Sequence, residues 1–168
     1  GNLQLTRDGG KSWSNLAANV AGLPKASWVS WVEASRFDPA TAFAAFDRHS
    51  FGDMTPWVYR TADFGKSWQR IVSPEKGVRG YAHVIKEDIV KPGLLFVGTE
   101  LGLWISADAG ASWAEFKGSG FPSVAVRELQ VHPRDHDLVI ATHGRGIWIV
   151  DDLTPLRSLT RNALEREA

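Results

Sequence analysis

The chain has 168 residues, 43% of them hydrophobic and 23% charged, with Lys+Arg and Asp+Glu balanced at 19 each. Zero net charge excludes a nucleic-acid binder or a membrane anchor acting through bulk positive charge. The normal apolar content excludes wholesale disorder, and the lack of Cys excludes disulfides, thiol catalysis and Cys-ligated zinc. No apolar run approaches the roughly 20 residues of a membrane-spanning helix, so membrane insertion is not expected.

In chain order, the predicted elements are short strands bounded by turn residues. We assign them to positions A to D of a four-stranded unit. The chain opens on Gly1, without Met or an export signal, and reads as a piece of a longer protein. It first gives only a C strand (Leu3–Thr6) and a D strand (Ser12–Leu16). The second unit has A near Trp31–Phe37, B near Ala42–Phe46, C at Val58–Thr61 and D at Ser67–Val72. The third has A at Tyr81–Asp88, B at Leu94–Gly98, C at Leu103–Ser106 and D at Ser112–Phe116. The chain closes with A (Ala125–Val131), B (Leu138–Thr142) and C (Ile147–Val150), which an offset of 44 maps onto the third unit. From Thr154 the tail (154–168) reads as a helix or linker, with Thr154 as cap, Pro155 in the first turn, and Leu156, Leu159 and Leu164 following.

The C–D connections carry a repeat. Thr6-Arg7-Asp8-Gly9-Gly10-Lys11-Ser12-Trp13 recurs at Thr61–Trp68 and at Ser106–Trp113, as Ser/Thr-x-Asp-x-Gly-x-Ser-Trp. Its Asp residues, Asp8, Asp63 and Asp108, stand 55 and 45 residues apart. Gly10, Gly65 and Gly110 supply backbone angles that a side chain forbids. The Asp accepts hydrogen bonds from turn N–H groups, and Trp13, Trp68 and Trp113 are expected to pack back into their own units. Calcium needs six to eight oxygens, so one carboxylate per box reads as turn-fixing, and no metal or cofactor is expected. Four-stranded repeats of about 45 residues are propeller blades. The fold class is therefore all-β: a propeller segment over 1–153 of about three blades, too few to close. Its open edges call for the rest of a larger propeller or for a homo-oligomer.

The box resembles the Asp-box, or BNR, repeat of sialidases, sortilin-type receptors, xyloglucanases and photosystem-assembly propellers. The fourth unit, from Ala141-Thr142-His143-Gly144-Arg145-Gly146 to Pro155-Leu156, resembles bacterial sortilin-like BNR-repeat proteins often labelled glycosyl hydrolases. The resemblance covers Gly1 to about Leu159. It implies a propeller much longer than this chain and an exported, extracytoplasmic location.

Strand parity puts the boxes at one end of the blades and the B–C and D–A loops at the other. Two lengthened stretches, Ala17–Ser30 and Asp47–Trp57, fall at that second end, which is the candidate binding face. Its candidates are Trp28, Arg48, His49, Trp57, His143 and Arg145, with the carboxylates Asp47, Asp53 and Glu100. Counting back five from Asp38, Asp88 and His132 adds Glu33, His83 and Arg127 on the innermost strands. His143-Gly144-Arg145-Gly146 reads as a tight turn, with Arg145 either clamping an anion or pairing with Asp151, Asp152 or a neighbouring loop.

Two functions are open. A glycoside hydrolase mostly uses two carboxylates at a set separation, for which Glu33, Asp47, Asp53 and Glu100 are the candidates. Sialidases use a Tyr nucleophile with an arginine cluster, but Tyr59 aligns with packing residues and no arginine triad surrounds Tyr81. The favoured reading is a non-catalytic binding or scaffold segment. Trp28 or Trp57 would stack on a glycan or anchor a protein or peptide.

Overall fold

A computed structural model describes residues 1–159. Its strands are β1 (Gln4–Leu5), β2 (Ser14–Asn15), β3 (Trp28–Ala34), β4 (Ala42–Arg48), β5 (Asp53–Thr61), β6 (Gln69–Val72) and β7 (Ala82–Glu87). They continue as β8 (Leu95–Thr99), β9 (Gly102–Ser106), β10 (Ala114–Glu115), β11 (Val126–Val131), β12 (Leu138–Thr142) and β13 (Ile147–Val150), followed by helix α1 (Thr154–Ser158). They form four antiparallel up-and-down sheets: β1-β2, β3-β4-β5-β6, β7-β8-β9-β10 and β11-β12-β13. These are propeller blades 1 to 4, with the inner strands β3, β7 and β11 side by side.

The core lies between blades. Leu3 and Val20 meet Ala44, Phe46 and Tyr59 between blades 1 and 2. Phe43, Ala45 and Val58 meet Ile85, Val97 and Trp104 between blades 2 and 3. Phe96, Leu103 and Ile105 meet Leu129, Leu138 and Ile140 between blades 3 and 4. Blade 3 has a neighbour on each face, so every residue of β8 and β9 is buried. In β13 exposed and half-buried residues alternate, because only one face is covered. Gly98 lies against blade 4: a Cβ there would sit 2.6 Å from Val126 Cγ1 and 2.7 Å from the Val126 carbonyl oxygen.

The three box turns repeat one bonding scheme. Thr6 Oγ1 donates to Asp8 Oδ1 (2.9 Å) and accepts from Gly10 N–H (2.8 Å), while Ser12 donates through N–H and Oγ to the two Asp8 oxygens. Thr61, Asp63, Gly65 and Ser67 do the same, as do Ser106, Asp108, Gly110 and Ser112. Hydrogen bonds from the Ser12 hydroxyl and N–H, then from Thr6, hold Asp8 at a pKa of about 2, and the same bonds from Ser67 and Thr61 hold Asp63 at about 2.

The tryptophans correct the sequence reading, because they reach across to the preceding blade. Trp113 Nε1 donates 2.9 Å to the Ile71 carbonyl on β6. Trp68 is 8% exposed and packs with Leu3 and Leu16 of blade 1. The box glycines rest on the same strands: a Cβ on Gly110, whose φ is +87°, would lie 2.9 Å from Ile71 Cβ, and one on Gly65 would strike Leu16. Trp13 has no blade before it among the described residues and is 59% exposed.

Three boundaries also differ. The A strand of blade 2 starts at Trp28, not Trp31, because the turn closed by Ser35 N–H to the Thr41 carbonyl matches the one from Asp88 to Leu94. Asp38 is therefore not the counterpart of Asp88 and His132, which Ser35 matches, and Pro39 corresponds to Pro92. The Asp47–Trp57 stretch is mostly strand, with only a short turn at His49–Phe51. In blade 4, β12 maps onto β8 at an offset of 43, since Trp148 faces Ile140 as Trp104 faces Val97; the extra residue lies in the His143–Gly146 turn.

Helix α1 starts at Thr154, but its N-cap is Leu153, not Thr154, and the Thr154 N–H donates to Asp152 Oδ1. The helix docks at the box end. Arg157 makes a bidentate ion pair with the buried Asp88 (2.8 and 2.9 Å), and its Nη1 lies 2.6 Å from His136 Nδ1. Leu164 lies outside the described residues.

Removing a buried indole leaves a cavity. Trp68→Ala is therefore expected to lower unfolding free energy by about 3 kcal/mol, and Trp13→Ala by less than about 0.5 kcal/mol, as read by urea denaturation. Asp8 and Asp63 have folded pKa values below the unfolded one. Their contribution is complete above about pH 4 and is lost as pH falls through about 2. Acid titration of unfolding should show that loss, and Asp63→Asn should flatten it.

Candidate functional site

The face opposite the boxes is built by three β-bulges. Each inner strand slips register once: between Val29 and Trp31, between Ala82 and Val84, and between Val126 and Glu128. The bulged residues are Ser30, His83 and Arg127, and a bulge re-aims its side chain out of the ladder. Glu33 is thus not the counterpart of His83 and Arg127. It lies three residues further along β3, where it pairs with Lys86 Nζ at 2.9 Å. The B-strand residue after the partner of Val29, Ala82 and Val126 supplies a second set: Asp47, which still pairs with Trp28, and Glu100 and His143, which lie just beyond the pairing.

Four side chains converge where these sets meet. His83 Nε2 lies 2.9 Å from Glu100 Oε2, and Arg127 Nη1 lies 3.2 Å from His83 Nδ1. Arg127 Nη2 lies 3.7 Å from the same Glu100 oxygen, and Tyr81 hydrogen-bonds to Glu100. A guanidinium can only donate, so His83 Nδ1 accepts and Nε2 carries the proton that goes to Glu100. His83 is neutral in this arrangement. Burial, with the Arg127 charge, depresses its pKa and outweighs the opposing Glu100 hydrogen bond. Burial acts to raise the Glu100 carboxyl, but the His83 and Tyr81 hydrogen bonds and the Arg127 charge hold it below the usual range. Burial, then the Glu100 hydrogen bond and charge, pushes the Tyr81 hydroxyl up.

Blade 2 adds a ring to this cluster. His49 stacks on Tyr81 at 4.8 Å, and Tyr81 meets His83 edge-on at 4.6 Å. Asp47 orients His49 by accepting from its N–H (2.8 Å) and by lying 2.7 Å from Nδ1. His83 is buried, whereas His49 and Arg127 side chains are 52% and 44% exposed. The surface offered outward is one imidazole face and one guanidinium, braced from behind.

The other candidates lie elsewhere. Asp53 accepts from Arg48 Nε (3.1 Å), Trp57 Nε1 (3.0 Å) and Thr55 N–H (3.0 Å), and despite burial these bonds lower its pKa. Trp57 is strand residue and cross-link, with Arg70 stacked 4.0 Å over its ring. Arg48 donates to the Lys25 carbonyl, tying the hairpin to the D–A loop. Trp28 begins β3 and is exposed. Arg145 is exposed in the β12–β13 turn, where its carbonyl accepts from Trp148 Nε1. Asp151 and Asp152 lie at the other end of β13, so the expected pairing is not made. Sequence reasoning left Tyr81 out of the site; its place just before the His83 bulge was the signal.

The Sortilin-Vps10 model, described as sortilin, neurotensin receptor 3, matches residues 57–162, more than half of the chain. The chain belongs to the sortilin family. Solved structures share the fold at low identity. An ancestral GH74 enzyme matches 70% of this chain with a TM-score of 0.55 and 19% identity, YCF48 bound to D1 peptide 92% with 0.55 and 20%, and a GH74 enzyme of Niastella koreensis 74% with 0.57 and 15%. This sortilin-family chain spans only 14%, 50% and 21% of those three chains. No curated protein sequence matches it. Among the described residues, no helix is long and apolar enough to cross a membrane.

By long-range proton–nitrogen NMR, His83 is expected to be the Nε2–H tautomer and to titrate below the ordinary 6.5. Arg127→Ala should raise its pKa, because that variant removes a depressing charge.

Proposed function

We propose that this chain is a non-catalytic binding segment of a larger sortilin-type propeller, with a peptide or protein ligand at the His49–Tyr81–His83–Glu100–Arg127 cluster. One observation carries the reading. The carboxylates of this face are already engaged, Glu100 by His83 and Tyr81 with the Arg127 charge beside it, Asp53 by three donors, Asp47 by His49 and Glu33 by Lys86, while Arg127 and His49 keep open surface. A guanidinium and an aromatic face suit a polypeptide's carboxylate, amide and ring groups. YCF48, solved with a peptide, lends the reading support through its shared fold. Family membership supports an extracytoplasmic location.

Glycoside hydrolysis is the second reading, favoured by the fold shared with GH74 enzymes. A two-carboxylate mechanism needs a general acid with a raised pKa, whereas Asp53 and Glu100 are both held low.

Peptide and glycan arrays probed with the protein separate these readings. Arg127→Ala is expected to weaken peptide capture about tenfold, the worth of one charge-assisted contact, and Arg127→Lys not to restore it. Release of reducing ends from a β-glucan, abolished by Asp47→Asn or Glu100→Gln, would instead establish the hydrolase.

A further inference from the structure

The three joints between blades can be compared position by position. The last paired residue of the inner strand is Ala34 in blade 2, Glu87 in blade 3 and Val131 in blade 4. Each shares its joint with the residue just before the box position of the preceding blade, which is Leu5, Arg60 and Ile105 in turn. Two of these joints are apolar here, Leu5 with Ala34 and Ile105 with Val131. The joint between blades 2 and 3 instead carries a guanidinium and a carboxylate. The propeller fold does not require charge at this place.

Arg60 and Glu87 line one cavity of about 250 Å³ at the box end of that joint, with Phe37, Phe43 and Pro92 as its apolar wall. Blades 2 and 3 each have all four strands, so both sides of the joint are complete. The two charges do not pair with each other. Arg60 makes no hydrogen bond or ion pair among the described residues, although its charge reaches Asp38. Glu87 is 6% exposed. Its Oε1 accepts from Gly93 N–H at 3.2 Å, and its buried Oε2 has no hydrogen-bond partner among the described residues. A buried carboxylate oxygen without a donor is costly, and the other two joints avoid that cost with apolar side chains. Asp38, the second carboxylate at the cavity, is already satisfied by Ala40 N–H and Thr41 Oγ1.

We propose that this cavity binds a free α-amino acid, with its ammonium on Glu87, its carboxylate on Arg60 and an apolar side chain against Phe37, Phe43 and Pro92. Glu87 calls for a donor and Arg60 for an acceptor, and a zwitterion is the small ligand that supplies both. An ion with one charge would serve one partner and leave the other alone. The last torsion of a glutamate side chain is soft, so the carboxyl can turn Oε2 toward the ammonium without moving the strand. The volume falls below the roughly 300 Å³ at which pockets for larger ligands begin, which keeps the guest to the size of a single residue. A bound amino acid would bridge β5 of blade 2 and β7 of blade 3. The cavity lies at the end opposite the His49–Arg127 cluster and does not depend on the function proposed there.

Calorimetry with L-phenylalanine and L-leucine tests the proposal, and amide NMR locates the site. Saturable binding is expected, with shifts at the Gly93 and Ala109 amides, since both residues line the cavity. Phenethylamine and 3-phenylpropionate, each lacking one of the two charges, should bind at least about tenfold more weakly than L-phenylalanine. Glu87→Gln, nearly the same in shape, should weaken binding by at least about tenfold. The double variant Arg60→Ile with Glu87→Val installs the residues of the joint between blades 3 and 4; it should stay folded by circular dichroism and lose binding. Three results would overturn the proposal: no binding of either amino acid, single-charge analogues that bind as tightly as L-phenylalanine, or binding undiminished in Glu87→Gln and in the double variant.

Discussion

A propeller blade cannot bury both of its faces alone, and here the joint between blades rests on one contact. In blades 2 and 3 the tryptophan that ends the box lies on the outer strand of the blade before it, with the box glycine pressed against the same residue. Trp68 on Leu16 and Trp113 on Ile71 are two instances. The box turn has to be rigid because it aims an indole across a gap. That is why Asp63 is loaded with donors on both oxygens although the turn itself is at the surface.

The same construction positions the opposite face. Once the outer ends of the blades are fixed, the inner strand of blade 4 lies so close to β8 that Gly98 leaves no room for a side chain. Three bulges at matched positions then turn Ser30, His83 and Arg127 out of their ladders toward one another. The neutral His83 is a spacer with direction: it receives from Arg127 on one nitrogen and gives to Glu100 on the other. A contact that draws on Arg127 also reaches Glu100, and through it Tyr81 and the His49 ring that stacks there.

The fold was legible because its repeat is written in residues that cannot be exchanged. Gly65 and Gly110 have positive φ, and Asp and Ser or Thr complete each turn, so three copies stand out in the bare sequence. Strand order followed from turn chemistry. The direction of the tryptophans did not, because a sequence lists a large apolar residue without saying which neighbour it covers. The face was half legible. His83 and Arg127 were found by counting from turns. Glu33 was misplaced by three residues because two different prolines look alike as turn markers, and bulges carry no composition signal. Trp57 and Asp53 looked like free chemistry until the hairpin showed them bonded to each other.

The clasp at the box end bears on how the chain is assembled. Asp88 has its carboxylate wholly buried, and its ionic partner Arg157 comes 69 residues later. Until Arg157 arrives, Asp88 has only the N–H groups of Val90 and Lys91 for company, too little for a charge removed from water. A nascent chain that has released blade 3 but not yet α1 must keep that corner open to solvent. That corner of the third blade is thus sealed only when α1 is in place.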